Sequence, residues 1–326
     1  MKAAWYEKNG EARDVMVVGD MPCPELGPGE VKVKIHVSGI NPSDVKSRRA
    51  RPLGADRVIP NSDGAGVIEA VGAGVAQSRI GQRVWIWNGQ FGRALGTSAQ
   101  YIVLPGDQAV VLPDNTDFDA GACMGIPGLT ALEAVHRCGN LAGKTVLIIG
   151  AASSVSHYAA QMAVQKGARV IGTVSSDVKA AHALAAGVTE IINYKTEDVA
   201  ERVKQLTSGH GVDAIIDMDF STTSQLIHKG ALKGHGTVVC FGSNQLGDHA
   251  IPFRISLFGS LSYQFFLVYD LTHERRIDAL AELNRLLASG KLQHAIGARY
   301  SLPDIVAAHE AVEQGSVMGN IVIDID

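Results

Sequence analysis

Residues 145–174 constrain this chain more than any other stretch. Thr145-Val146-Leu147-Ile148-Ile149 is an unbroken apolar run. It is short enough for a strand and lacks the polar alternation of a strand with one wet face, so it predicts a strand buried on both sides. A turn of small residues follows, Gly150-Ala151-Ala152-Ser153-Ser154-Val155-Ser156, then a helical stretch over 157–166, a stop at Gly167 and a second strand over 168–174. A parallel pair joined through a helix needs helices covering both faces, which commits the middle of the chain to a doubly wound α/β sheet of Rossmann type.

The same rhythm continues downstream, with strands predicted at 190–192, 213–217, 236–241 and 262–268, five or six in parallel. Residues 1–125 have another texture. Short alternating runs such as Val31-Lys32-Val33-Lys34-Ile35-His36-Val37 and Arg83-Val84-Trp85-Ile86-Trp87, broken by Gly and Pro turns, predict a β-rich unit with little helix. Beyond 268 the βα alternation stops. An amphipathic helix over 272–288, a shorter one near 303–314 and a strand at 320–324 are assigned back to the first unit. The expected organisation is therefore 1–125 with 269–326 as one domain and 126–268 as a nucleotide-binding domain inserted into it. A chain of 326 residues is long enough to give each a buried core.

Composition narrows the partner. The formal net charge of −4, with no Lys/Arg-rich block, gives no electrostatic footprint for nucleic acid or anionic lipid, so a small-molecule partner is expected. No run of 18 or more apolar residues occurs and Met1-Lys2-Ala3-Ala4-Trp5-Tyr6 has no leader-like apolar stretch, which predicts no membrane insertion and a cytoplasmic protein. Cys23, Cys123, Cys138 and Cys240 are scattered without a C-x-x-C pair, the pattern of reduced thiols rather than of a disulfide framework or zinc lobe.

A strand, a small-residue turn and a helix bring free backbone N–H groups and the positive end of a helix dipole to one point, where a pyrophosphate can sit. The turn at 150–156 does not spell G-x-G-x-x-G, so the surrounding βαβ unit carries the assignment. At the end of the second strand, where an Asp or Glu would bind the ribose of NAD, this chain has Ser175-Ser176, with Lys179 one turn later. Hydroxyls and an ammonium suit a 2′-phosphate, and the missing carboxylate removes a repulsion, so NADPH is favoured over NADH.

Four motifs then coincide. Gly39-Ile40-Asn41-Pro42-Ser43-Asp44 resembles a G-x-N-x-x-D stretch, and Ile59-Pro60-Asn61-Ser62-Asp63-Gly64-Ala65-Gly66-Val67 resembles P-G-x-D-x-A-G-x-V. Gly125-Ile126-Pro127-Gly128-Leu129-Thr130-Ala131 and the 146–156 turn complete the set. Together they resemble, from end to end, the quinone reductase and zeta-crystallin branch of the medium-chain dehydrogenase/reductase superfamily. The resemblance implies a GroES-like β-rich catalytic domain beside the Rossmann domain. It implies Asn41 and Thr130 near the nicotinamide as catalytic groups, and Ala152, Ser153, Ser154 and Val155 as the pyrophosphate loop. Ser176, Lys179 and Tyr194, with Ser175 beside them, would hold the 2′-phosphate. Phe241-Gly242-Ser243 and the segment from Phe266 to Val268 would flank the nicotinamide and its ribose, and Asn320 stands where the family often has Lys or Arg near the cofactor.

The chain departs from that pattern at three places. The family's A-A-G-G-V-G turn carries serines at 153, 154 and 156, and a left-handed backbone at one of them would store strain of about 1 kcal/mol. A hydroxyl at Ser156 is also expected to loosen helix-to-strand packing. Lys46 stands where several quinone reductases have a substrate-facing Tyr, which leaves Trp87, Phe91 and Phe266 as the aromatics for a flat acceptor. Zinc alcohol dehydrogenases of the superfamily place a Cys near Asn41 and a His-Glu pair near Ser62-Asp63, and neither is present, so no metal is expected. The expected activity is hydride transfer from NADPH to a quinone. An alkenal or enone double-bond reductase, and a weakly active NADPH-binding crystallin-like protein, are the alternatives. His157 is expected on the helix surface, and the apolar strand at 262–268 predicts a homodimer through its edge.

Overall fold

The computed structural model describes residues 1–245 and 247–325, which fall into two compact units: Met1–Gly128 with Leu280–Asp326, and Leu129–Ala279. In the second unit the apolar run forms the strand Thr145–Ile148, with Val146, Leu147 and Ile148 fully buried. Among the described residues it is one of six strands paired wholly in parallel. Arg169–Val174 and Glu190–Asn193 lie on one side of it, and Val212–Asp217, Leu232–Cys240 and Ser262–Phe265 on the other. The strand order by chain position is thus 3-2-1-4-5-6, reversing between Thr145–Ile148 and Val212–Asp217. In an open parallel sheet ligands bind beyond the carboxyl ends of the strands at such a reversal. This is the expected Rossmann-type architecture.

The first unit is built on the long strand Glu30–Ile40. Val31, Val33, Ile35 and Val37 point into the core in period two, while Lys32, Lys34 and His36 are more exposed. This strand pairs antiparallel with Asp63–Val71, with Tyr101–Pro105 and with Asn320–Asp324. Ile296–Ser301 joins the outer edge, parallel to Asn320–Asp324. It has no apolar run to mark it in the sequence, because its residues alternate between half-buried and exposed. The helix Ile305–Gln314 covers the sheet, with Ile305, Ala308 and Ala311 in one core cluster with Val31, Val33, Ile35, Ile321 and Ile323.

Both unit boundaries fall later than the sequence places them, at 128/129 rather than 125/126 and at 279/280 rather than 268/269. Residues 126–128 stay with the first unit because they complete a single π-helical turn, Met124–Gly128, whose Ile126 N–H donates to buried Asp63 (3.1 Å). The start of the helix His273–Ala288 stays with the second because Arg275 is ion-paired to buried Glu133 (2.6 Å). The final strand of the parallel sheet stops at Phe265, before a 3₁₀ turn Val268–Asp270.

Beneath the helix Pro42–Ala50, fully buried Arg48 pairs with Glu313 and donates to the Gly10 carbonyl (2.8 Å). His309 is also fully buried, neither ring nitrogen has a hydrogen-bond partner among the described residues, and burial, with Arg48 adding to it, pushes its pKa down to about 3. A histidine kept neutral in this way contributes stability above its ordinary pKa of 6.5, which is lost as the pH falls from there toward 3. His309→Leu should therefore gain on wild type by about 2 kcal/mol more at pH 5 than at pH 7 in urea unfolding, and a pH-independent difference would contradict this.

Candidate active site

The turn after the first parallel strand is laid against the second. Gly150, at φ 63°, donates its N–H to Thr173 Oγ1 (2.9 Å), and Ala151 N–H donates to the Thr173 carbonyl (2.9 Å). This approach depends on Gly172, where an added Cβ would stand 2.7 Å from Ala151 Cβ. The helix Ser154–Gln165 follows, capped by Ser153 at φ −76°, ψ 161°, whose Oγ accepts from Ser156 N–H (3.3 Å). The left-handed residue is Gly150, ahead of the serines. None of Ser153, Ser154 and Ser156 has positive φ, so the expected strain is not there. Ser156 does not loosen the packing either: it is fully buried, and its hydroxyl donates to the Ile149 carbonyl (3.0 Å), tying the first helical turn to the strand end. In that turn the N–H groups of Ser154 and Val155 precede any carbonyl the helix can offer, so they suit an anion.

At the end of the second strand the predicted group comes together. Ser176 caps the helix Asp177–Ala185, accepting from Lys179 N–H (3.4 Å), and Tyr194 N–H donates to the Val174 carbonyl (3.1 Å), which sets Tyr194 beside Ser175. Tyr194 is 51% exposed. Asp177, the exposed first residue of that helix, is a carboxylate the sequence pattern gives no weight to.

Around the reversal point, Phe241 N–H donates to the Asp217 carbonyl (3.1 Å), and Gly242 has no room for a side chain, since an added Cβ would stand 2.7 Å from the Met218 carbonyl oxygen. Phe266 N–H donates to the Cys240 carbonyl (3.2 Å), bringing the Phe241 and Phe266 rings to 6.1 Å. Ser243 Oγ donates to the Gln245 carbonyl (2.9 Å), and Val268 is buried. Two features here lie outside the sequence reading. Asp219 clamps the 241–245 loop, accepting from Asn244 N–H and Nδ2 (both 2.9 Å). Buried Glu133 holds Arg137 (2.6 Å), whose guanidinium lies 5.0 Å from the Phe266 ring centre. The i,i+4 spacing of Glu133 and Arg137 is the one trace of that pair in the sequence. Asp217 is fully buried, and burial pushes its pKa up to about 6. Thr130 is buried with its Oγ1 lacking a partner among the described residues.

In the first unit, Asn41 caps the helix Pro42–Ala50. Its N–H donates to Asp44 Oδ2 (2.8 Å) and its Nδ2 to Asp63 Oδ2 (2.9 Å). Lys46 is exposed on this helix. Trp87 is a core residue with its indole N–H on the Asp107 carbonyl (3.2 Å), and Phe91 is half-buried under the Arg51 guanidinium at 5.6 Å. Asn320 is buried with its amide on the Ala295 carbonyl (3.1 Å). His157 corrects an expectation. It is buried, because the helix Ser154–Gln165 is enclosed over its whole middle, and it packs on His182 at 4.6 Å.

Among the described residues no group of three or more His, Cys, Asp or Glu is placed to hold a metal ion, and no helix is long and apolar enough to cross a membrane. A family model described as alcohol dehydrogenase GroES-like domain matches residues 27–114, and one described as zinc-binding dehydrogenase matches 186–323. A quinone oxidoreductase from Salmonella typhimurium is 31% identical over 334 residues, covering 97% of both chains. The chain belongs to the zinc-independent quinone oxidoreductase branch of the medium-chain dehydrogenase/reductase superfamily. It is an oxidoreductase with a nicotinamide cofactor. A 2-haloacrylate reductase from Burkholderia is 29% identical, covering 99% of this chain and 98% of its own. The structure of an Escherichia coli quinone oxidoreductase complexed with NADPH superposes with a TM-score of 0.89 at 27% identity, covering 99% of this chain and 100% of that one.

The residues present fit such a cofactor. The first-turn N–H groups of Ser154 and Val155 are not taken by the helix's own carbonyls, and the buried Thr130 Oγ1 has no partner among the described residues. Because the serines carry no strain, restoring glycine should bring no gain. Ser153→Gly and Ser154→Gly should each leave the protein equally stable or less stable, by up to about 1 kcal/mol. A rise in Tm for either would reveal strain that the backbone angles do not show.

Proposed function

We propose that this chain is a zinc-independent NADPH:quinone oxidoreductase. Full-length similarity to a quinone oxidoreductase carries the reading. The 2′-phosphate preference is supported by Ser175, Ser176, Lys179 and Tyr194 gathered at the strand end, with hydroxyls where NAD enzymes keep a carboxylate. When bound, the cofactor supplies the hydride. The backbone amides of 152–155 would take the pyrophosphate. Phe241, Gly242, Ser243, Phe266 and Val268 would line the nicotinamide end, and Asn41 and Thr130 would offer hydrogen bonds to oxygen as negative charge develops there. Quinones accept hydride without a Lewis acid, so positioning and water exclusion are the work left to the protein, and the single proton that completes the hydroquinone can come from solvent. Phe266, its ring backed by Arg137, would offer a flat face to the acceptor, and in the first unit Lys46, Trp87 and Phe91 are the substrate-binding candidates and Asn320 a cofactor-binding one. The cysteines are free thiols, which suits a reducing compartment such as the cytoplasm.

A second reading is reduction of an activated carbon–carbon double bond, favoured by the similarity to a 2-haloacrylate reductase. Steady-state oxidation of NADPH and NADH after chelation, against 1,4-benzoquinone, 9,10-phenanthrenequinone and 2-hexenal, separates the two. The main reading expects NADPH-dependent quinone turnover that survives chelation, with Lys179→Ala raising KM for NADPH about tenfold. Turnover of the alkenal alone would transfer the assignment to the second reading. Cofactor binding with no turnover would leave a crystallin-like binding protein.

The homodimer belongs to the same reading. Phe253, Leu257, Phe258, Phe265 and Leu267 are 73, 60, 78, 52 and 51% exposed around the edge strand Ser262–Phe265. An unpaired edge flanked by so much apolar surface suits a second copy of the chain. Light scattering should find a dimer, reduced to a monomer by Phe258→Asp with Phe265→Lys, and a monomeric wild type would contradict it.

A further inference from the structure

The carboxyl group of Asp63 is the part of the first unit that its packing does not explain. Asp63 is fully buried at the start of the strand Asp63–Val71, with its backbone opposite Gly39. One oxygen, Oδ2, accepts from both Asn41 Nδ2 (2.9 Å) and Ile126 N–H (3.1 Å). The other, Oδ1, has no partner among the described residues. It lies against Gly125, where an added Cβ would stand 2.3 Å from Oδ1 and 2.5 Å from the Ile86 carbonyl oxygen. At Gly39 an added Cβ would meet the Ala122 carbonyl oxygen at 2.0 Å and Asp63 Cβ at 3.1 Å. Glycines from two separate sequence motifs thus leave the hollow that admits this one side chain. An apolar residue would fill that hollow without the desolvation that a half-satisfied carboxyl group incurs.

What the carboxyl group does there is hold an amide. The outer torsion of asparagine is soft and nearly two-fold, so an unrestrained Asn41 could present either oxygen or nitrogen to a given direction. An oxygen that only accepts, itself pinned by the Ile126 N–H, draws Nδ2 and excludes the flipped amide. Asp44 accepts the Asn41 backbone N–H in a capping box, which fixes the residue's backbone at the helix start. We propose that Asp63 is a positioning residue for hydride transfer, holding the Asn41 amide in the single orientation in which it meets the acceptor or nicotinamide. This rests on the reading of Asn41 as a group that hydrogen-bonds there. Burial, and then the nearby Asp44 carboxylate, push the Asp63 pKa well above the usual range.

Two substitutions separate positioning from bulk. Asp63→Leu fills the hollow and removes the acceptor, whereas Asp63→Asn keeps an oxygen for Asn41 and Ile126. The side-chain 15N–1H pair of Asn41, assigned by its loss in Asn41→Ser, should exchange slowly with solvent in wild type and in Asp63→Asn. It should lose protection by about tenfold or more in Asp63→Leu. With NADPH and 1,4-benzoquinone, Asp63→Leu should lower kcat about tenfold or more with KM for NADPH within about twofold, and Asp63→Asn should recover kcat to within about threefold of wild type. Unchanged protection in Asp63→Leu, an Asp63→Asn variant as poor as Asp63→Leu, or a kcat loss that merely tracks the folded fraction would overturn the proposal. If Asp63→Leu does not fold, wild type decides alone, since an Asn41 amide that exchanges as fast as exposed asparagines leaves nothing for Asp63 to hold. A wild type that turns over no acceptor would refute the proposed activity, and the amide measurement would still judge Asp63.

Discussion

Parallel pairing is the constraint on which the nucleotide unit depends. Strands that all run the same way must all end on the same edge, and each return path must cross a face as a helix. The ends at Ile148, Val174, Asn193, Asp217, Cys240 and Phe265 therefore share one edge. That is how residues as distant in sequence as Ser153, Ser176, Tyr194, Phe241 and Phe266 come to line one rim. The order reverses beside Thr145–Ile148, the position at which open parallel sheets bind ligands, and the first-turn amides of Ser154–Gln165 follow that strand's end.

Within that frame, buried polar groups do the fine positioning. Each is a carboxyl group, and each acts by accepting. Asp219 holds the 241–245 loop through Asn244, Glu133 holds Arg137 behind Phe266, and in the first unit Asp63 holds Asn41 and Ile126. Burial works against the charged form, which is why Asp44 rises to about 7 and Asp217 to about 6. Buried Glu133 has two guanidinium partners, Arg137 and Arg275.

Much of this was legible in the sequence because it rests on local pattern. The apolar run at 145–149, the stop at Gly167 and the alternation in 31–37 announce their elements through unbroken apolarity, turn chemistry and a period of two. Ser175, Ser176 and Lys179 follow from the βαβ unit, whereas Tyr194 comes from the family resemblance. What was not legible depends on close approach in space. The serines look strained if they are aligned with glycines, yet Gly150 takes the left-handed angle one step earlier and Gly172 makes the room. Trp87 and Asn320 read as candidate ligand groups, and nothing in the sequence shows that the Asp107 and Ala295 carbonyls accept from their N–H groups. His157 follows a turn and reads as surface, though its helix is enclosed. No periodicity encodes the hollow that Gly39 and Gly125 leave around Asp63.

The central claim is direct hydride transfer from NADPH to the acceptor, arranged by positioning and without a metal. Anaerobic single-turnover mixing of the protein with 1,4-benzoquinone and NADPH deuterated at one or the other C4 position tests it most directly. The account predicts that nucleotide oxidation slows with a primary isotope effect for one of the two labels only, that hydroquinone forms in the same phase, and that chelation changes nothing. Oxidation insensitive to both labels, or accompanied by a semiquinone radical, would contradict it.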